Sequence, residues 1–335
     1  MRIAVIGAGA IGSLTAGYLK AAGEDVYLVG HEDAVKAVKE NGLKISGVRG
    51  DFKVNISIYA ALVSKPELLI LATKTQDIEE ALSKSPDLIK ESIVLTTQNG
   101  IQAENIVSRF LPEDNIISSI VMFGATYLEP GKVVHNFEGS WILGNAFSAA
   151  LNANIVPLSM VLNKAFPAVI SDNILGMKYL KMFVNANNCI PAILGVSMQE
   201  AFSDQQISQI SIAIWKEAFE IISKLDIQLV SLPGFPIERV TKLISILPQE
   251  AAKVFSSTMA KLSKDPLYGS ILQSIKRGKI SEIDYINGEF VNLAQKNGLK
   301  AELNKKLVEM VHKVETTGRF FSQDELLAAT RGVIN

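Results

Sequence analysis

The chain has 335 residues, enough for two domains, and its 48% hydrophobic and 20% charged content is ordinary for a soluble globular protein. A formal net charge of −1 gives no ground for nucleic acid or an anionic membrane as a partner. The single cysteine, Cys189, excludes an internal disulfide framework and a multi-cysteine zinc site, and three scattered histidines argue against a His-based metal centre, so no metal is expected. No basic, apolar leader precedes the first strand and no apolar run approaches 18 residues, which makes a cytoplasmic enzyme the expectation.

The first apolar run, 3–6, leads directly into Gly7-Ala8-Gly9-Ala10-Ile11-Gly12, followed by a helical pattern (Ile11, Leu14, Thr15, Tyr18, Leu19) closed by Gly23. A glycine fingerprint between a buried strand and a helix is the context a dinucleotide site requires. Gly7 permits the tight turn, Gly9 lets the backbone approach a pyrophosphate, Gly12 lets helix and strand pack, and the helix N-terminus offers free N–H groups. Further runs at 26–29, 68–72, 93–96 and 116–122 alternate with helical patterns, predicting a parallel sheet covered by helices. Between them, 43–45 and 52–58 read as a short strand pair elaborating the sheet edge. The segment 123–144, with its Pro130-Gly131 turn, reads as antiparallel. One more helix (152–165) and a strand (168–170) follow, after which the pattern is helical to the end. The fold class is an α/β Rossmann-type N-terminal domain plus an all-α C-terminal domain. The boundary is expected near Ser171, giving a dinucleotide-binding domain at 1–170 and a helical substrate and catalytic domain at 171–335.

In the second half, the helical repeat puts Lys178, Lys181, Asn185 and Asn188 on one side of a helix, with Leu180, Phe183 and Val184 facing elsewhere. A solvated face is one explanation. Against it, asparagine is a poor helix-interior residue, and a lysine row interleaved with asparagines suits a site where something specific is hydrogen-bonded. Farther on, Ser281 is a natural N-cap with Asp284 in the capping-box place, a structural role, whereas Glu282 has no comparable local task and is the better site candidate.

With the glycine turn, Leu71-Ala-Thr-Lys-Thr-Gln76, Thr97-Gln-Asn-Gly100, the Lys181 to Asn185 segment and Glu282-Ile-Asp-Tyr-Ile-Asn-Gly288 together, the chain resembles the ketopantoate reductases over nearly its whole length. The resemblance implies NADPH-dependent reduction of 2-dehydropantoate (ketopantoate) to pantoate in coenzyme A biosynthesis. Carried over residue by residue, Lys181 corresponds to the catalytic lysine, and Asn99, Asn185, Ser270 and Glu282 to ligand-contacting residues. Lys74 and Ala125 lie along the cofactor, as do Gly7, Ala8, Gly9, Ala10, Ile11 and Gly12. Asn99 and Glu282 are read as both catalytic and cofactor-contacting.

Two departures stand out. Where the family often has a second asparagine one turn beyond Asn185, this chain has Cys189, so either Asn188 takes the amide role or the pocket differs. Where NADPH-using members often have an arginine after the second strand, the chain reads Gly30-His31-Glu32-Asp33. NADPH is expected, donated to by His31 with help from Lys36, while NAD is retained as an alternative; Glu32 and Asp33 are read as helix-capping. Hydride transfer to a ketone leaves an alkoxide that needs a proton and a hydrogen-bonding neighbour, which Lys181 can supply. The two residue sets fall on different predicted domains, so the expected site is a cleft closed by domain motion. Two other readings stay open: a reductase of another 2-keto acid, and a non-catalytic dinucleotide sensor. The oligomeric state is left open, with a homodimer among the cases considered.

Overall fold

The computed structural model describes residues 1–148, 150, 152–261, 263 and 265–334; the expected C-terminal limit, Asn335, lies outside them. The chain divides into two units, Met1–Leu175 and Gly176–Asn335, the division falling in the first turn of the helix Ile174–Ala186.

Unit 1 carries twelve described strands: β1 (Arg2–Ile6), β2 (Asp25–Val29), β3 (Leu43–Gly47), β4 (Phe52–Val54), β5 (Ser57–Tyr59), β6 (Leu68–Leu71), β7 (Ile93–Thr96), β8 (Ile116–Val121), β9 (Gly124–Glu129), β10 (Lys132–Phe137), β11 (Trp141–Gly144) and β12 (Ala168–Ile170). Eight of them form one sheet in the order β12-β11-β8-β7-β6-β1-β2-β5. From β8 to β5 every pairing is parallel, whereas β11 runs antiparallel to β8 and β12 runs with β11. Along β1, Ile3 and Val5 enter one core and Ala4 and Ile6 another, so both faces are covered. That double burial is why the strand reads as an unbroken apolar run and not as an alternation.

The segment 52–58 differs from the expected single edge strand. It breaks at Asn55-Ile56, and its two halves join different sheets: β5 extends the main sheet beside β2, while β4 pairs with β3 in a separate four-stranded sheet, β4-β3-β10-β9. The β9–β10 hairpin is antiparallel, as its Pro130-Gly131 turn predicts. This second sheet is tied to the first helix, Ala10–Ala21, by an aromatic and polar cluster. Tyr18 Oη lies 2.9 Å from His135 Nδ1, while His135 Nε2 lies 3.0 Å from the Phe137 carbonyl. A carbonyl only accepts, so Nε2 carries the proton and Nδ1 receives the phenol's. Arg49 stacks over Tyr18 and Phe166 at 4.6 and 4.8 Å and donates to both oxygens of Glu138.

Unit 2 is helical, and its described residues add only an isolated bridge between Leu232 and Phe235. The longest helix, Gln205–Lys224, starts at Asp204, whose carboxylate accepts from the Gln206 and Ile207 amides. Its Trp215 donates to the Phe183 carbonyl at 2.6 Å and packs edge-on against Phe255, fixing the Lys181-bearing helix against it. Among the described residues no helix is long and apolar enough to cross a membrane.

Candidate functional site

In unit 1 the strand order turns at β1, which lies between β2 and β6, and it is outside the carboxyl ends of strands at such a turn that folds of this type bind their ligands. The three glycines there meet different surroundings. Gly7 has φ +111°, and a Cβ on it would stand 2.6 Å from the Ala72 carbonyl carbon and oxygen. Gly12 is equally closed, against the Gly7 carbonyl oxygen and Ala72 Cβ. Gly9 is different: a Cβ there would meet nothing within 4 Å. Two glycines are therefore required by the protein's own packing, and the middle one borders open space at the start of the helix Ala10–Ala21. That helix has Gly9 as N-cap without a side-chain cap, and no acid in its first turn, so its leading N–H groups and dipole remain available to an anion. Ala8, Ala10 and Ile11 complete this turn. The arrangement fits a dinucleotide pyrophosphate.

The loops after β6 and β7 carry Lys74 and Asn99, both half-buried. Sequence reasoning missed the residue that ties these loops together. Gln98, buried, donates from Nε2 to the carbonyls of Leu71 and Thr73, each at 2.9 Å, and its Oε1 accepts from the Thr97 amide. Thr97 Oγ1 adds a bond to Leu71 at 2.8 Å. The signal was Gln98's place inside the motif Thr97-Gln-Asn-Gly100, next to Asn99. Ala125, half-buried on β9, follows closely after the carboxyl end of β8. His31 is the exposed N-cap of the helix Glu32–Asn41; Glu32 and Asp33 occupy that helix's first turn, with Asp33 Oδ1 accepting from the Ala34 amide.

In unit 2, the helix Ile174–Ala186 carries Lys181 and Asn185, and after a break at 187–188 the helix Cys189–Leu194 continues. Lys181 is half-buried, and burial of its ammonium pushes its pKa down to about 8. Asn185 and Asn188 are both buried. Lys178 corrects the solvated-face reading outright, being 2% exposed. Its neighbour Tyr179 is pushed up to about 12 by burial, with the charge of Glu289 adding to it. Glu289 is a buried carboxylate that sequence reasoning passed over, although it falls at helical spacing between Ile286 and Leu293.

Asn188 packs directly on the start of the Ser270 helix, Ser270–Lys276: a Cβ on its N-cap Gly269 would stand 3.0 Å from Asn188 Cγ. The structure therefore brings Asn188 beside Ser270, which is exposed. Glu282 is the half-buried N-cap of a short 3₁₀ turn, Ile283–Tyr285. Asp284 does not form the expected capping box. Its carboxylate pairs with His312 at 3.0 Å, and the Ser281 hydroxyl accepts from Ile283 instead.

The profile of the family described as ketopantoate reductase PanE/ApbA matches residues 3–147, and that of its C-terminal part matches residues 173–315. The chain belongs to the ketopantoate reductase family. It is 32% identical over 321 residues to 2-dehydropantoate 2-reductase of Pyrococcus horikoshii, covering 95% of this chain and 99% of that one. The Pyrococcus abyssi protein of the same name is 32% identical over 91% of this chain and 94% of its own length. Among solved structures, a ternary complex of D-mandelate dehydrogenase with NADH and anilino(oxo)acetate superposes with TM-score 0.82 at 28% identity, over 95% of this chain and 99% of that one. A Ralstonia eutropha ketopantoate reductase shares the fold with TM-score 0.79 at 23% identity, over 94% and 99% of the two chains.

Against the ketopantoate reductase pattern, the cysteine at the second-amide position now has a location. Cys189 is wholly buried, its Sγ 3.7 Å from Asn287 Nδ2, and burial pushes its thiol up to about 12. Its side chain is enclosed in the packed interior of the helical unit, while the adjacent Asn188 meets the Ser270 helix.

Proposed function

We propose that this chain reduces ketopantoate to pantoate with NADPH. The observation that carries the reading is the placement of Lys181 and Asn185 on one helix of unit 2, with burial lowering the lysine's pKa to about 8. NADPH, when bound, supplies the hydride that adds to the keto carbon. Gly7 to Gly12 hold its pyrophosphate, His31 its 2′-phosphate, and Lys74 and Ala125 border it. Lys181 donates its Nζ proton to the oxygen as the carbonyl becomes an alkoxide; a pKa near the working pH suits a general acid. Asn99, in unit 1, is a side-chain donor toward the ligand. Asn185, Asn188 and Ser270, neutral donors all, hold the substrate carboxylate and hydroxyl, and Glu282 accepts from a ligand hydroxyl or orients Lys181. On this reading 1–170 is the dinucleotide-binding domain and 171–335 the substrate and catalytic domain.

The likeness to D-mandelate dehydrogenase at 28% identity favours a second reading, an NADH-dependent reductase of an aryl 2-keto acid. Steady-state oxidation of NADPH and of NADH, each with ketopantoate and with phenylglyoxylate, separates the two. Ketopantoate with NADPH is expected to give the highest kcat/KM; a tenfold advantage for phenylglyoxylate would defeat the first reading.

A further inference from the structure

At the carboxyl end of β2, dinucleotide folds place the residue that reads the adenosine ribose: an acid on the free 2′-hydroxyl for NAD, a cation nearby for a 2′-phosphate. Here that place is Gly30. Its backbone does not demand glycine, since it is not among the residues with positive φ. Space does. A Cβ on Gly30 would lie 2.6 Å from Ala8 Cβ, against ordinary contacts of 3.4 Å to Ala34 Cβ and 3.7 Å to Ile58 Cδ1. Ala8 Cβ has no torsion by which to swing away, so relief requires the glycine turn itself to move. That turn is pinned on both sides: the Gly7 amide donates to the Val29 carbonyl at 2.9 Å, and the Ala72–Thr73 backbone fills the space beside Gly7. Gly30 is held in turn, its amide donating to the Tyr59 carbonyl at 3.0 Å.

We propose that Ala8 and Gly30 form a steric lock that bars any side chain, and so the NAD-type acid, from the end of β2, leaving the 2′ position to be read from His31 onward. The lock is a property of two residues in different segments, and cofactor preference cannot be inverted through position 30 alone. The inference rests on the Gly7 to Gly12 turn being the dinucleotide site.

The test is equilibrium binding of NADPH and NADH, followed by nicotinamide fluorescence, to the wild-type chain, Gly30→Asp and Ala8→Gly/Gly30→Asp, with thermal unfolding of each. Gly30→Asp alone is expected to weaken both dinucleotides by about tenfold or more, because the turn that cradles the pyrophosphate is displaced. The double variant should regain NADH binding and shift the NADPH-to-NADH affinity ratio at least about tenfold toward NADH. Undiminished binding by Gly30→Asp would overturn the lock, as would a double variant that fails to regain NADH binding or keeps the wild-type ratio. A wild-type chain that binds neither dinucleotide defeats the underlying functional reading instead, and does so before any variant is compared.

Discussion

Lys178 and Lys181 lie three residues apart on one helix, yet Lys178 is almost wholly enclosed and Lys181 half-buried. Burial sets the Lys181 ammonium near pKa 8, which puts its titration inside an accessible range. In the reductive direction the protonated form is the donor, so kcat is expected to fall as pH rises through about 8. Lys181→Ala should lose this limb and lower kcat by about 10² to 10⁴ while dinucleotide affinity holds. Stability carries the opposite sign. The folded pKa lies below that of a free lysine, so the cost of burying the charge is fully present below pH 8 and relieved as pH rises toward 10.5. Denaturant melts of wild type and Lys181→Met should therefore diverge least at alkaline pH. A pH-independent kcat near 8 would remove Lys181 from the proton-donor role. Lys178, being enclosed, is no neutral comparison for such experiments.

At the scale of elements, the feature that presents the amides is the break between Ile174–Ala186 and Cys189–Leu194, and a chain of hydrogen-bonded side chains holds it. Asn287 Nδ2 donates to the Ala186 carbonyl at 3.1 Å and to Asn304 Oδ1 at 3.0 Å. Asn304 is itself fixed by Glu217, which accepts from its amide and side chain at 2.9 and 2.6 Å. Asn287→Ala leaves the Ala186 carbonyl and Asn304 Oδ1 without that donor. It is expected to cost about 1 to 3 kcal/mol in denaturant melts and to raise KM for the keto acid more than it lowers kcat, with NADPH affinity unchanged. An unaltered KM would mean that the two helices set the break unaided. The motif containing Asn287 was conspicuous in the sequence, but its task was not, because its partners lie 17 and 101 residues away.

Across the whole molecule, Cys189 is a built-in reporter. The single thiol is wholly buried and pushed up to about 12, so it should stay inert toward an aromatic disulfide reagent at pH 8 and react only as fast as the helical unit opens. Rapid stoichiometric labelling of the native protein would place Cys189 at an accessible surface. The sequence by itself determined what rests on local periodicity and backbone freedom: the strand and helix alternation, the glycine turn, the all-helical second half, and the helix shared by Lys181 and Asn185. Only the tertiary structure decided what covers each face. It sent the two halves of 52–58 to different sheets, enclosed Lys178, turned Cys189 inward beside an Asn188 packed on Gly269, and set Gln98 between two loops. Repeat and propensity act over a few neighbouring residues, whereas burial and hydrogen-bond partnership depend on segments that sequence distance keeps apart until the chain has folded.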